Sequence, residues 1–93
     1  FLSVVSSWEI AVKHKLGKLP LPEDPARLVP AQRRAHQIAT LELDEESALR
    51  LPSLPDLHRD PFDRMLICQA ISGSMSILTP DESVRAYPVR TVW

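Results

Sequence analysis

Asp60-Pro-Phe-Asp-Arg-Met-Leu-Ile-Cys-Gln-Ala-Ile-Ser-Gly73 is the stretch on which the fold turns. Asp60 followed by Pro61 is a strong helix opening, since the aspartate caps free amides and proline has no amide to leave unpaired. Phe62, Leu66, Ile67, Ala70 and Ile71 then leave little polar face, so the spacing predicts a largely buried helix that Gly73 ends. Beyond it, Ser76-Ile-Leu78 reads as a brief strand, Asp81 to Tyr87 as a short helix, and Val89 to Trp93 as a terminal strand.

Working back toward the N-terminus, Pro52 and Pro55 close a short helical run, Glu45 to Leu51, that Asp44 can cap. Ile38 to Leu43 reads as a strand. Before it, Asp24 and Pro25 open a second helix, in which Pro30 predicts a kink or a break. Phe1-Leu-Ser-Val-Val5 is short and apolar, a buried strand ended by Ser6 and Ser7. One of those serines opens a helix with Trp8, Ala11, Val12 and Leu16 on one face, Lys13 and Lys15 in its last turn, and Gly17 as its left-handed C-terminal residue. The order β-α-α-β-α-α-β-α-β implies an α/β fold, a parallel sheet with helices on its faces. Ninety-three residues make one domain at most, and the reading is a single domain over 1–93.

A formal charge of -1 and a pI near 6.3 exclude a global basic field for nucleic acid, so any RNA or DNA contact needs a local patch. Cys68 is the one cysteine and lies in an apolar run. It excludes an internal disulfide, suits a reducing cytoplasm and reads as a small buried hydrophobe. No run approaches the roughly 20 apolar residues of a membrane span, and no signal-peptide pattern opens the chain. The expectation is a soluble, cytoplasmic protein with no membrane partner. Phe1 stands directly inside an apolar run, which points to missing upstream sequence.

Four acids, Glu9, Asp60, Asp63 and Asp81, fall where strand or loop passes into the first turn of a helix. Each has a capping explanation. Ser6-x-x-Glu9 matches a capping box, Asp60 precedes proline, Asp63 suits the helix dipole, and Asp81 can cap the last helix. Jointly they have another. In a parallel α/β sheet the strand-to-helix turns emerge at one edge, where carboxylates brought together would raise one another's pKa unless a cation lay between them. An all-oxygen set selects Mg²⁺ or Mn²⁺ over zinc.

Other candidates carry less. His14, His36 and His58 have no metal-ligand spacing, Ser6 and Ser7 lack a nucleophile elbow, and two glycines build no phosphate loop. Arg59 and Arg64 flank the acidic pair and could hold a phosphate, and Lys13, Lys15 and Lys18 could bind a backbone. Solvated helix faces explain both sets equally well.

Ser6-Ser-Trp-Glu-Ile-Ala-Val-Lys13, His58-Arg-Asp-Pro-Phe-Asp-Arg-Met-Leu-Ile-Cys-Gln-Ala70, Leu78-Thr-Pro-Asp81 and Tyr87-Pro-Val-Arg-Thr-Val-Trp93 together resemble PIN-domain proteins of the VapC-type toxin group. The resemblance covers nearly the whole chain. It implies a three-layer α/β/α fold and a Mg²⁺- or Mn²⁺-dependent endoribonuclease, the toxin of a type II toxin-antitoxin pair. RNA as substrate, a cognate antitoxin protein as partner and a homodimer are implied with it. By position in the motifs Glu9, Asp63 and Asp81 match catalytic metal ligands, and Asp60 matches a subgroup residue beside them. The family's first strand, central in the sheet and ending in an Asp-Thr type motif, has no counterpart here, so the reading is an N-terminally truncated domain. The alternative is a catalytically inactive remnant that binds an antitoxin or a second copy of itself.

Overall fold

The structure is a computed structural model that describes residues 1–56, 60–79 and 81–93. The chain divides into two compact units, Phe1–Glu42 and Leu43–Trp93. The first holds β1 (Leu2–Ser3), α1 (Val4–Lys15), α2 (Pro25–Ala35) and β2 (Thr40–Leu41). The second holds α3 (Glu45–Arg50), a 3-10 turn at Leu51–Ser53, α4 (Pro61–Ser72), β3 (Ile77–Leu78), α5 (Glu82–Arg85) and β4 (Thr91–Val92). The order of elements is the expected one, and the class is mixed α/β.

The strands differ from the expectation of one continuous sheet. Among the described residues they form two parallel pairs. In the first unit Leu2 faces Thr40 and Ser3 faces Leu41. In the second Ile77 faces Thr91 and Leu78 faces Val92. Each pair is joined by a helical crossover, as parallel strands require.

The start of α1 is also corrected. Ser3, not Ser6 or Ser7, is the cap, its hydroxyl oxygen accepting the Val5 amide at 3.1 Å. Valine in a helix costs at most about 0.7 kcal/mol relative to alanine. Burying a valine side chain contributes about 1.5–3 kcal/mol, and Val5 is 2 % exposed. Burial outweighs β-propensity, so Val4 and Val5 join the helix. Val5 is the buried residue of α1, while Trp8 and Leu16 of the expected face are 60 % and 63 % exposed.

Pro30 neither breaks nor ends α2, although it cannot donate to the Ala26 carbonyl four residues back. Asp24 caps this helix through the Ala26 amide at 3.1 Å, with Pro25 first in the helix as expected. Packing of α2 on α1 within the unit holds it together across the proline.

Three helices end alike. After α1, the Gly17 amide reaches the His14 carbonyl and the Lys18 amide the Lys13 carbonyl, a Schellman closure with Gly17 at φ 74°. After α2 and α4 the same pair of bonds forms around Gln37 and Ser74, at φ 55° and 53°. Gly73, expected to end α4, is the residue before the left-handed one. A Cβ there would lie 2.8 Å from the Met75 Cε, the movable end of a flexible side chain, and 3.3 Å from the Gln69 carbonyl oxygen.

The core of the second unit is Leu54, Ile67, Cys68, Val84 and Tyr87, with Leu51, Met65, Ile71, Ile77 and Val89 packed around it. Ile67 and Cys68 are fully buried, in keeping with the apolar reading of α4 and of the cysteine. Burial pushes the Cys68 thiol up, against the opposing pull of Arg64 and Arg50. Asp44 caps α3 through the Ser47 amide at 2.8 Å. Hydrogen bonds from Ser47 hold its carboxyl below the ordinary aspartate range.

Two outcomes are expected. Ser74→Gly removes left-handed strain worth about 1–2 kcal/mol and adds unfolded-state entropy worth about 0.5–1 kcal/mol, so urea unfolding should show a net gain between zero and about 1.5 kcal/mol. Asp44→Ala should lower stability at neutral pH. Because folding depresses the Asp44 pKa, its contribution is full above the unfolded value and disappears as pH falls through the folded one, so parent and variant melting curves should converge in acid.

Candidate functional site

Glu9 lies in the second turn of α1, past the capping-box position expected for it. Its Oε2 accepts from the Lys13 ammonium at 2.5 Å, one turn further on. Glutamate four residues before lysine is the favoured order on a helix. The spacing was present in the sequence, but a capping-box reading of Glu9 hid it.

The other three acids belong to the second unit. Asp60 caps α4 from extended backbone, its Oδ1 accepting the Phe62 amide at 2.9 Å and the Asp63 amide at 3.2 Å. Asp63 follows in the first turn, half-buried. Asp81 caps α5, its Oδ1 accepting both the amide and the hydroxyl of Ser83, at 2.9 and 2.7 Å. The Asp81 amide in turn donates to the Thr79 hydroxyl at 3.1 Å. The capping readings of Asp60 and Asp81 are therefore borne out, each through the Oδ1 atom.

The donors are all hard oxygens, the right chemistry for Mg²⁺ or Mn²⁺. Among the described residues, however, no three His, Cys, Asp or Glu side chains stand together as a set that could hold a metal. What the structure displays at these positions is helix caps and an ion pair.

The flanking cations separate. Arg64, a candidate phosphate holder, directs its Nη1 to the Pro55 carbonyl at 2.9 Å and the Tyr87 hydroxyl at 3.0 Å. Its guanidinium carbon also stands 6.0 Å from the Tyr87 ring centre, within cation–π range. It thus ties the loop before α4 to Tyr87, two residues past α5, a long-range role that no local spacing announces. Arg59 and His58 lie outside the described residues. His14 turns its Nδ1 to the Leu19 carbonyl at 3.1 Å, and His36 is the exposed residue that ends α2. Among the described residues, neither histidine sits in a metal-binding set. Among the described residues, no helix is long and apolar enough to cross a membrane.

No family model matches the chain. Over 43 residues it is 46 % identical to Ribonuclease VapC16 of Mycobacterium tuberculosis, a stretch amounting to 46 % of this chain. The match spans 30 % of that relative's own length.

The capping role of Asp60 can be tested by itself. Asparagine caps nearly as well as aspartate, whereas loss of a cap typically costs about 1 kcal/mol. Asp60→Asn should unfold in urea close to the parent, and Asp60→Ala should be less stable by about that amount.

Proposed function

We propose that this chain is part of a PIN-domain endoribonuclease of the VapC type, the toxin of a toxin-antitoxin pair, which hydrolyses RNA phosphodiester bonds. The observation that carries the reading is 46 % identity over 43 residues to a protein named as a ribonuclease. The acids at the starts of α4 and α5 support it, because they are of the residue type that metal-dependent phosphodiester hydrolysis needs.

In this reading residues 1–93 form one three-layer PIN-like domain whose central strand precedes Phe1. The supporting argument is one of length. Strand pairs of two residues each are too short to be stable by themselves. A central strand would supply the hydrogen-bonding partners that such edges lack.

Glu9, Asp63 and Asp81 would hold the cation in the complete protein, with Asp60 beside them. A bound Mg²⁺ or Mn²⁺ supplies positive charge to the phosphate and lowers the pKa of an attacking water. The chain's own residues prepare for it. Asp60, by accepting the Asp63 amide, fixes the first turn from which the Asp63 carboxylate projects. The Lys13 ammonium, resting on Glu9 Oε2, restricts the rotamers of that side chain. RNA is the substrate, and the partners are a cognate antitoxin and a second copy of the chain, in the cytoplasm.

A second reading keeps the fold and drops the chemistry: an inactive remnant that binds an antitoxin or itself. It is favoured by the exposed Trp8, Leu16, Leu78, Val92 and Trp93, apolar surface that suits a protein partner.

The test is a version of the protein carrying the upstream strand, assayed on RNA with Mn²⁺. Changes one layer out from a metal typically lower activity roughly 10–100-fold, so Asp63→Asn, which removes a direct ligand, should cost more. Unchanged cleavage by the variant would remove Asp63 from the site. Tight co-purification of a protein partner with no metal-dependent cleavage would favour the second reading.

A further inference from the structure

Within the first unit an open cleft of about 440 Å³ lies between α1 and α2. Its size falls in the range of ligand sites. Ala11 and Val29 give it an apolar wall, and Lys15, Arg33 and His14 give it polar groups of one tendency. Asp24 is the carboxylate in the lining, and its Oδ1 accepts the Ala26 amide as the cap of α2. The lining therefore carries two fixed cations against one carboxylate.

These cations differ from their neighbours. Lys13 is matched by Glu9, whereas among the described residues Lys15 forms no ion pair. Arg33 gives one Nη to the Ile38 carbonyl at a long 3.3 Å, which leaves most of the planar fork for another acceptor. His14, held at Nδ1 by the Leu19 carbonyl, has Nε2 as its other polar atom.

Charge is also unevenly divided along the chain. The first unit, which holds all three lysines, has a formal charge of +2, and the second has -3. The near-zero total conceals a basic half.

We propose that the cleft between α1 and α2 binds a phosphodiester group of a single-stranded RNA, with Lys15 and Arg33 holding the phosphate and Ala11 and Val29 packing against the sugar. This rests on the ribonuclease reading for the choice of RNA. Arginine's two-pronged donation matches phosphate geometry, and lysine adds a point charge beside it. An acidic protein segment would meet the same cations, and the experiment distinguishes it.

The test uses the 93-residue chain and a short labelled single-stranded RNA, followed by fluorescence anisotropy in EDTA so that cleavage plays no part. Circular dichroism checks the folding of each variant. Lys15→Gln with Arg33→Gln should weaken binding about tenfold or more and reduce the slope of log affinity against log salt by about 0.7 for each cation removed. Lys18→Gln, outside the cleft lining, should change little. No RNA binding by the folded parent, an unaffected double variant, or equal loss in Lys18→Gln would overturn the proposal. Displacement of the RNA by a short poly-glutamate peptide at equal concentration would also overturn it, in favour of an acidic protein occupant. The ribonuclease reading fails separately: RNA that binds through Lys15 and Arg33 but is never cleaved by the complete protein would sink that reading and leave the cleft standing.

Discussion

The first amides of α4 have no acceptor inside their own helix, and Asp60 takes two of them on one oxygen. The second unit is organised around where that places the helix. With α4 starting at Pro61, Ile67 and Cys68 fall on the covered side and meet Leu54, Val84 and Tyr87. The same register sends Arg64 toward Pro55 and the Tyr87 hydroxyl, so a buried tyrosine has its polar end satisfied. A half-turn error in the start of this helix would expose the core and break that link together.

Caps and metal ligands draw on one residue type for one reason. A carboxylate answers positive charge, whether the partial charge of free amides at a helix start or the full charge of a cation. At Asp60 and Asp81 the bonds that settle the helix engage Oδ1. A carboxylate has two oxygens, so a capping role does not by itself argue against coordination. The Glu9–Lys13 pair behaves differently, since a cation at Glu9 would displace an existing ionic partner.

The element order was legible because caps, prolines and apolar runs are local signals. Asp24, Asp44, Asp60 and Asp81 cap the helices that follow them. Legibility failed where a tertiary contact overruled a local preference. Val4 and Val5 look like strand and are helix, because Val5 is buried. Trp8 and Leu16 look inward-facing and are not, because hydrophobic spacing marks a stripe without saying which neighbour covers it. Ser74, rather than the glycine beside it, takes the left-handed position, a choice that residue preference does not announce. Of the candidate site, the identities of the acids and their helix-start setting could be read. Whether they converge could not be read, because that is a long-range property of strand order.

The brevity of the strands has a consequence for the order in which the molecule assembles. Bringing Leu2 to Thr40 closes a long loop at an entropic cost of about 3 kcal/mol, counting only the dependence on length. A hydrogen bond returns about 0.5–1.5 kcal/mol net, so two-residue pairing barely offsets the closure. The helices must already lie in place to hold the strand ends together. The strands are accordingly expected to form last and open first, so that the Leu2 and Ile77 amides, bonded to the Ala39 and Arg90 carbonyls, should exchange with water without waiting for α1 or α4 to unfold.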